Sequence, residues 1–135
     1  MVTQSNHGEP DMKERVRIKR IYDPTEATDG RRVLVDRLWP RGVSRERAAI
    51  DEWMKELAPS PELRQWFCHQ PERFEVFALQ YAQELDTNAN ALSLAELLAE
   101  RSHTEPVTLL YAAKDPEHNH AIVLRTWLIN YIKHK

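Results

Sequence analysis

Charged and aromatic side chains that could bind an anion follow two short apolar segments of the chain. The segment Val33–Val35 leads into four candidate residues, namely Asp36, Arg37, Trp39 and Arg41. The segment Val107–Ala113 contributes Tyr111 and is followed by Lys114. Ligands of open α/β sheets collect outside the carboxyl ends of the strands. Arginine and lysine side chains that converge there suit a phosphate, a carboxylate or a nucleotide-like ligand.

A predicted helix that begins at Asn119 and His120 adds to the same site. Its free backbone N–H groups would favour a bound anion. The predicted ligand contacts are Arg37, Trp39, Arg41, Tyr111, Lys114 and Asn119. Asp36 and His120 are the candidate base and acid if the site is catalytic.

An alternative interpretation is that these charges form a structural network. Buried charges need partners, and the adjacent Asp36 and Arg37 can satisfy each other. His120 could bond a loop, because no nucleophile or metal ligand accompanies it. Trp39 could either stack on a ring-shaped ligand or pack beneath Arg41.

The sequence contains no recognisable metal, thiol or cofactor motif. The histidines His118 and His120 lack the spacing of known zinc sites, as does the pair Cys68-His69. Cys68 lies at the end of a predicted helix, whereas a reactive thiolate is favoured at a helix start or beside a cation. The chain has only three glycines, so Walker and Rossmann fingerprints are absent. We therefore predict no metal and no cofactor.

Alternating strands and helices must position the candidate residues. Strands are predicted at Val16–Tyr22, Val33–Arg37 and Val107–Ala113, and a further extended stretch at Ile50–Leu57. The predicted helices are Arg45–Ala49, Pro61–Phe67, a helix from Pro71 to Leu85, Ala91–Arg101 and His120–His134. Strands separated by helices imply a mainly parallel sheet, in which Val107–Ala113 should lie beside Val33–Val35. The short connection between the first two strands favours an antiparallel pair instead, because a parallel crossover normally needs a dozen or more residues.

Length and composition predict one layered α/β domain, a small β-sheet flanked by helices. The chain has 135 residues, of which 41% are hydrophobic and 30% charged, an ordinary balance for a globular protein. Residues 1–14 are polar and are predicted to be a disordered lead-in, and residues 15–135 to be the domain. The single cysteine excludes an internal disulfide and fits a cytoplasmic location.

Charge and hydropathy narrow the choice of partners. No apolar run is long enough to span a membrane. A net charge of −2 argues against nucleic acid as the partner, and the basic residues Arg15, Arg17, Lys19 and Arg20 fall on alternate faces of a strand. A small anionic ligand is the predicted partner, and no feature specifies an oligomeric state.

Six motifs together resemble one protein family. They are Tyr22–Pro24, Asp29–Gly42, Trp53–Ser60, Glu62–Phe67, Thr108–Asp115 and Asn119–Ala121. These motifs resemble the YeaO-like family, small bacterial and archaeal proteins grouped under a domain of unknown function. The resemblance runs from Arg15 to the last helix, and the stretch DGRRVLVDRLWPRG at Asp29–Gly42 is its most specific part.

The resemblance implies an α/β fold with a small, mainly parallel sheet, a cytoplasmic setting and no established activity. It also implies that residues 50–57 are partly extended. The family's signature polar positions are Asp29, Arg32, Asp36, Arg37, Trp39, Arg41, Lys55, Arg64, Tyr111, Lys114, Asn119 and His120. Two functions stay open at this point. One is anion binding at the carboxyl edge of the sheet, and the other is a non-enzymatic interaction or regulatory module in which the charges are structural.

Overall fold

The computed structural model of the chain describes residues 12–135, apart from the side chain of Lys13. The strands are Val16–Arg20 (β1), Arg31–Leu34 (β2), Glu52–Trp53 (β3) and Val107–Tyr111 (β4). The helices are Met12–Arg15 (α1), Arg45–Ala48 (α2), Pro61–Phe67 (α3), Phe74–Thr87 (α4), Ala89–Arg101 (α5) and His120–Lys133 (α6). Most of the lead-in predicted for residues 1–14 lies outside the described residues. No helix within residues 12–135 has both the length and the apolar character needed to cross a bilayer.

The strands form one sheet in the order β1-β4-β2-β3, and every pair is parallel. In the register of the central strands, Val33 of β2 lies opposite Leu109 of β4. The predicted α/β class with a mainly parallel sheet is therefore confirmed. The predicted placement of the segment Val107–Ala113 beside Val33–Val35 is also confirmed.

The antiparallel pairing that the short first connection favoured is wrong. β1 and β2 do not pair with each other, because β4 lies between them and pairs in parallel with both. Residues 21–30 cross β4 as a loop with one 3-10 turn at Ala27–Asp29. The connection crosses two strand spacings, about 10 Å, and returns along β4 from the level of Tyr111 to that of Val107, roughly 13 Å. An extended segment of this length reaches roughly 33 Å, which is sufficient. The dozen-residue minimum applies when a helix makes the crossing.

The predicted extended stretch Ile50–Leu57 is a strand only at Glu52–Trp53, which forms β3. The stretch then turns into a 3-10 helix at Lys55–Leu57. The side chain of Leu57 is buried in the core. The stretch is therefore neither one strand nor one helix, since Trp53 belongs to β3 and Leu57 to the 3-10 helix.

The two faces of the sheet are covered differently. The face that carries Val16, Val33, Val35, Val107 and Leu109 packs against α3–α6 in the main core. The other face carries Leu34 and Leu110, which form a smaller cluster with Ile21 and the aromatic rings of Trp39 and Trp53. Loops and the short helix α2 cover this second face. The second face therefore needs polar anchoring in place of a helix layer.

A buried charge cluster anchors the crossing loop to the second face. Asp29, at the end of the 3-10 turn, accepts hydrogen bonds from Arg32 at 2.5 Å and from Lys19 at 2.8 Å. The guanidinium of Arg32 also donates to the carbonyl of Ala48 at 2.8 Å. The backbone carbonyl of Asp29 accepts a hydrogen bond from Thr108 of β4 at 2.6 Å. The cluster thereby joins β1, β2, β4 and the end of α2.

Side-chain caps fix where α3 and α6 begin. The hydroxyl of Ser60 accepts from the backbone N–H of Leu63 at 3.1 Å, and Pro61 occupies the first helical position of α3. The side chain of Asn119 accepts from the N–H of Ile122 at 3.0 Å. These caps place two helix starts close to the carboxyl edge of the sheet.

Replacing Gly30 with alanine should lower the free energy of unfolding by about 2–4 kcal/mol. Gly30 has φ +65°, and a Cβ there would lie 2.2 Å from the backbone oxygen of Pro106. That oxygen accepts the N–H of Arg31 at 2.8 Å, so it cannot move without disturbing the start of β2. Gly42 is a matched control, because it has φ +71° with nothing within 4 Å of its Cβ position. Urea unfolding should show a smaller loss for Gly42→Ala, and equal losses would contradict the steric argument.

Candidate functional site

A cleft of about 580 Å³ opens at the carboxyl edge of the sheet. We call it the strand-end cleft. Its walls come from the chain after β2, the chain after β4, the segment before α3, α3 itself and the first residue of α6. The charged residues that line it are Asp36, Arg37, Arg64, Lys114 and Asp115, and the histidines are His69 and His120.

Arg37 holds the wall of the strand-end cleft together. Its guanidinium donates to the carbonyl of Pro59 at 3.2 Å and to that of Ala58 at 3.3 Å. These bonds tie the end of β2 to the segment before α3. The Nε atom and one terminal nitrogen of Arg37 therefore donate to the protein and not to a ligand.

Asp36 and His120 join β2, β4 and α6 at the base of the cleft. One carboxylate oxygen of Asp36 accepts from the backbone N–H of Ala112 at 3.1 Å. The Nε2 atom of His120 lies 3.1 Å from the other oxygen, Oδ1, and 3.1 Å from the carbonyl oxygen of Val35. The directed hydrogen bond goes to Val35. The Oδ1 atom is buried without a directed hydrogen bond from any described residue.

Asp115 is the other acidic residue of the cleft, and it is also engaged internally. Its carboxylate accepts from the backbone N–H groups of Glu117 and His118 at 2.9 and 3.2 Å. It also lies 2.9 Å from the Nδ1 atom of His118. The N–H of Glu117 and the His118 ring lower the pKa of Asp115. The carboxylate is thus held in the loop between β4 and α6.

Arg64 and Lys114 differ from these engaged groups. Both side chains are exposed and line the strand-end cleft. Neither makes a hydrogen bond or an ion pair with another residue of the described range 12–135 through its side-chain nitrogens. Arg64 comes from α3, and Lys114 comes from the chain after β4. Two cationic groups from separate elements are therefore available to a ligand in the same cleft.

The structure does not bring Trp39 and Arg41 into the strand-end cleft. The indole N–H of Trp39 donates to the carbonyl of Val43 at 2.7 Å, and the ring packs edge-on against Trp53 with centroids 5.3 Å apart. The guanidinium of Arg45 covers the Trp39 ring at 4.6 Å. Trp39 therefore packs beneath Arg45 on the second face of the sheet. Arg41 is exposed outside the cleft.

Tyr111 and Asn119 lie behind the cleft and do not line it. Both are buried, and Tyr111 belongs to the main core. Burial and the negative charge of Asp23 raise the pKa of the Tyr111 phenol. The Asn119 side chain caps α6 and donates to the carbonyl of Asp115 at 2.9 Å. Among the predicted site residues, the structure thus brings together Asp36, Arg37, Lys114 and His120.

Sequence reasoning did not select Arg64 and His69 as ligand contacts. Arg64 is one of the signature positions implied by the family resemblance. That position was the one indication in the sequence that Arg64 could belong to the site. His69 follows α3 with φ +56°, directly after Cys68 with φ +49°. These two left-handed residues end α3 and bring the chain back to the cleft. No sequence pattern indicated that turn.

The four basic residues considered for nucleic acid binding all bond within the protein. Arg15 donates to Ser102 at 2.8 Å, and Arg17 donates to the carbonyl of Thr28 at 2.8 Å. Lys19 is held by Asp29, as described above. The fourth, Arg20, donates to the carbonyls of Ala112 and Ala113.

A larger groove of about 910 Å³ lies between α4, α5 and α6. Its polar side chains bond to one another. Trp127 donates to Asp86 at 2.8 Å, while Tyr131 and Lys135 both donate to Glu96 at 2.7 Å. No group of three or more His, Cys, Asp or Glu side chains in the described part of the chain is placed to hold a metal ion. In the strand-end cleft, by contrast, Arg64 and Lys114 have no such partners within residues 12–135. The strand-end cleft is therefore the better candidate for an anion site.

Known proteins resemble this chain along most of its length. A family model described as the inactive DUF488-N3 subclade matches residues 15–135. The uncharacterised protein YeaO of Escherichia coli K12 is 45% identical over 113 residues, which are 84% of this chain and 96% of YeaO. The chain belongs to the YeaO-like family. The predicted family is thereby confirmed.

The YeaO-like relatives extend to mycobacteria. The uncharacterised protein Rv3073c of Mycobacterium tuberculosis H37Rv is 46% identical over 112 residues, which are 82% of this chain and 90% of that protein. No solved structure matches the chain. The names of these relatives assign no activity to the YeaO-like family.

Proposed function

We propose that this YeaO-like protein binds a small anionic ligand, a phosphate or a carboxylate, in the strand-end cleft. The observation that carries the proposal is the imbalance between engaged and available charges. The acids Asp36 and Asp115 bond within the protein, whereas Arg64 and Lys114 have no partner within residues 12–135. The start of α6 adds the positive end of a helix dipole beside them. An anion would neutralise a net positive cleft.

A binding role is favoured over catalysis. The Oδ1 atom of Asp36 is buried, and its other oxygen is bonded to a backbone N–H, so the carboxylate is poorly placed to take a proton from a ligand. The description of the matching family as an inactive subclade supports the same choice. Asp36, Arg37 and His120 then act as the structural network that shapes the cleft. The single cysteine supports a cytoplasmic setting for this binding role.

Titration with inorganic phosphate tests the proposal. We expect Arg64→Gln and Lys114→Gln each to weaken phosphate binding by about tenfold, because each removes one charge-assisted hydrogen bond at an exposed position. The double variant should lose both contributions. Because both side chains are exposed, the unfolding midpoint without ligand should change little. Isothermal titration calorimetry at fixed ionic strength would measure these affinities.

The matched control is Arg47→Gln, which removes an exposed arginine of α2 outside the cleft. Its phosphate affinity should equal that of the unsubstituted protein. Unchanged phosphate affinity in the double variant would contradict the proposal.

A further inference from the structure

The strand-end cleft is much larger than a simple oxyanion. Its volume of about 580 Å³ equals the liquid volume of roughly nineteen water molecules at about 30 Å³ each. Phosphate and carboxylate groups have only a few heavy atoms. Clefts of about 300–1,000 Å³ are typical of sites for small organic ligands. An anion held by Arg64 and Lys114 alone would leave most of the cleft filled with water.

Part of the remaining wall of the strand-end cleft is apolar. Ala112 and Ala113 follow β4, and the buried Ala58 and Pro59 precede α3. Leu38 stands at the lip with 63% of its side chain exposed. A single exposed leucine is ordinary, but one that continues an apolar wall beside two available cations is typical of a ligand site.

Internal bonds hold the apolar wall in place. Arg37 donates to the carbonyls of Ala58 and Pro59, and Arg20 donates to those of Ala112 and Ala113. The backbone oxygens of both apolar stretches are thereby turned toward arginines. These four carbonyl oxygens are therefore engaged by arginines of the protein.

We infer that the ligand of the strand-end cleft is an organic anion with a compact apolar body. Its charged group binds Arg64 and Lys114. Its apolar body lies against Leu38 and the apolar wall formed by Ala58, Pro59, Ala112 and Ala113. This inference rests on the proposed function. It names the ligand class as a phosphate monoester or a carboxylate carrying a small ring or a branched alkyl group. Inorganic phosphate then binds more weakly than such an organic anion.

Three probes test the ligand class, namely phenyl phosphate, inorganic phosphate and phenol. Phenyl phosphate should bind at least about tenfold more tightly than inorganic phosphate. Tenfold corresponds to about 1.4 kcal/mol, which burial of roughly 55 Å² of apolar surface supplies. Phenol lacks the anionic group and should bind more weakly than phenyl phosphate. Calorimetric titration at constant ionic strength gives all three affinities.

A pair of leucine variants locates the apolar contact. Leu38→Gln should lower the preference for phenyl phosphate over phosphate by about threefold, the equivalent of roughly 25 Å² of lost apolar contact. Its affinity for inorganic phosphate should stay unchanged. Leu79→Gln is the control, because Leu79 is 68% exposed on α4 and lines the larger groove instead of the strand-end cleft. It should change neither affinity.

The outcomes separate the two proposals. Equal affinities for phenyl phosphate and phosphate, with phosphate still lost in the Arg64 and Lys114 variants, would overturn the apolar-body inference and leave the anion site standing. If Leu38→Gln and Leu79→Gln lost the preference for phenyl phosphate over inorganic phosphate equally, the apolar-body inference would also be overturned. Failure of both anions to bind the unsubstituted protein would overturn the proposed function itself.

Discussion

Asp29→Ala should lower the free energy of unfolding by about 3–5 kcal/mol, because it leaves a buried arginine without its counter-charge. Asp29 and Arg32 are each only 3% exposed. The same carboxylate also binds Lys19 at 2.8 Å and the backbone N–H of Glu26 at 3.0 Å. Removing it would free the loop that crosses the second face of the sheet. Urea unfolding followed by circular dichroism measures the loss.

Glu26→Ala is the matched control for this result. Glu26 binds the same Lys19 at 2.8 Å, but its side chain is 63% exposed. An exposed ion pair contributes about 0–1 kcal/mol, so the control should lose no more than about that. Losses of similar size in Asp29→Ala and Glu26→Ala would show that burial of the Arg32 pair is not what stabilises the loop.

The carboxylate of Asp29 also makes the free energy of unfolding depend on pH in the acidic range. Burial acts to raise the pKa of Asp29, but Lys19, the N–H of Glu26 and Arg32 together outweigh burial and lower it. A lowered folded-state pKa means that this stabilisation is present above the unfolded pKa of about 4 and is lost as the pH falls toward the folded value. Below about pH 4, the unsubstituted protein should therefore lose stability more steeply than Asp29→Asn.

The buried cluster also explains where sequence reasoning about the fold stopped. The apolar run Val33–Val35 correctly predicted a strand within the sheet, since it alternates between two covered faces and is paired on both edges. The path from β1 to β2 was not predictable from loop length. It depends on Lys19, Arg32 and Thr108 meeting Asp29 on a face without helices, and Thr108 is far from the other three in sequence.

The candidate site was predictable only as far as the strand ends fix it. Asp36, Lys114 and His120 follow or face the ends of β2 and β4, so parallel topology alone brings them to one edge. Arg41 lies in the turn that follows Pro40, and topology gives no direction for its side chain. Arg64 reaches the cleft because α3 packs against α4 through Phe67 and Phe77, which is a tertiary contact that local sequence does not encode.

The core beneath the strand-end cleft is organised around Tyr81 of α4. Its side chain is fully buried, and its hydroxyl donates to the backbone carbonyl of Leu57. The ring lies between Phe77, with centroids 5.7 Å apart, and His120, with centroids 6.4 Å apart. Burial, reinforced by the charge of Glu84, raises the pKa of Tyr81 well above its ordinary value, so the hydroxyl stays a donor. Tyr81 therefore links the helix layer to the segment that forms the cleft wall.

Tyr81→Ala should lower the free energy of unfolding by about 3–5 kcal/mol, because it opens a cavity among well-packed aromatic rings. Tyr81→Phe keeps the ring and removes only the hydroxyl, and it should lose about 1–3 kcal/mol because the carbonyl of Leu57 is left buried without a donor. Chemical unfolding of both variants measures the two contributions separately. Since Leu57 immediately precedes the wall residues Ala58 and Pro59, Tyr81→Phe should also weaken phenyl phosphate binding more than phosphate binding. A phenylalanine variant as stable as the unsubstituted protein would show that the hydroxyl does not hold this wall.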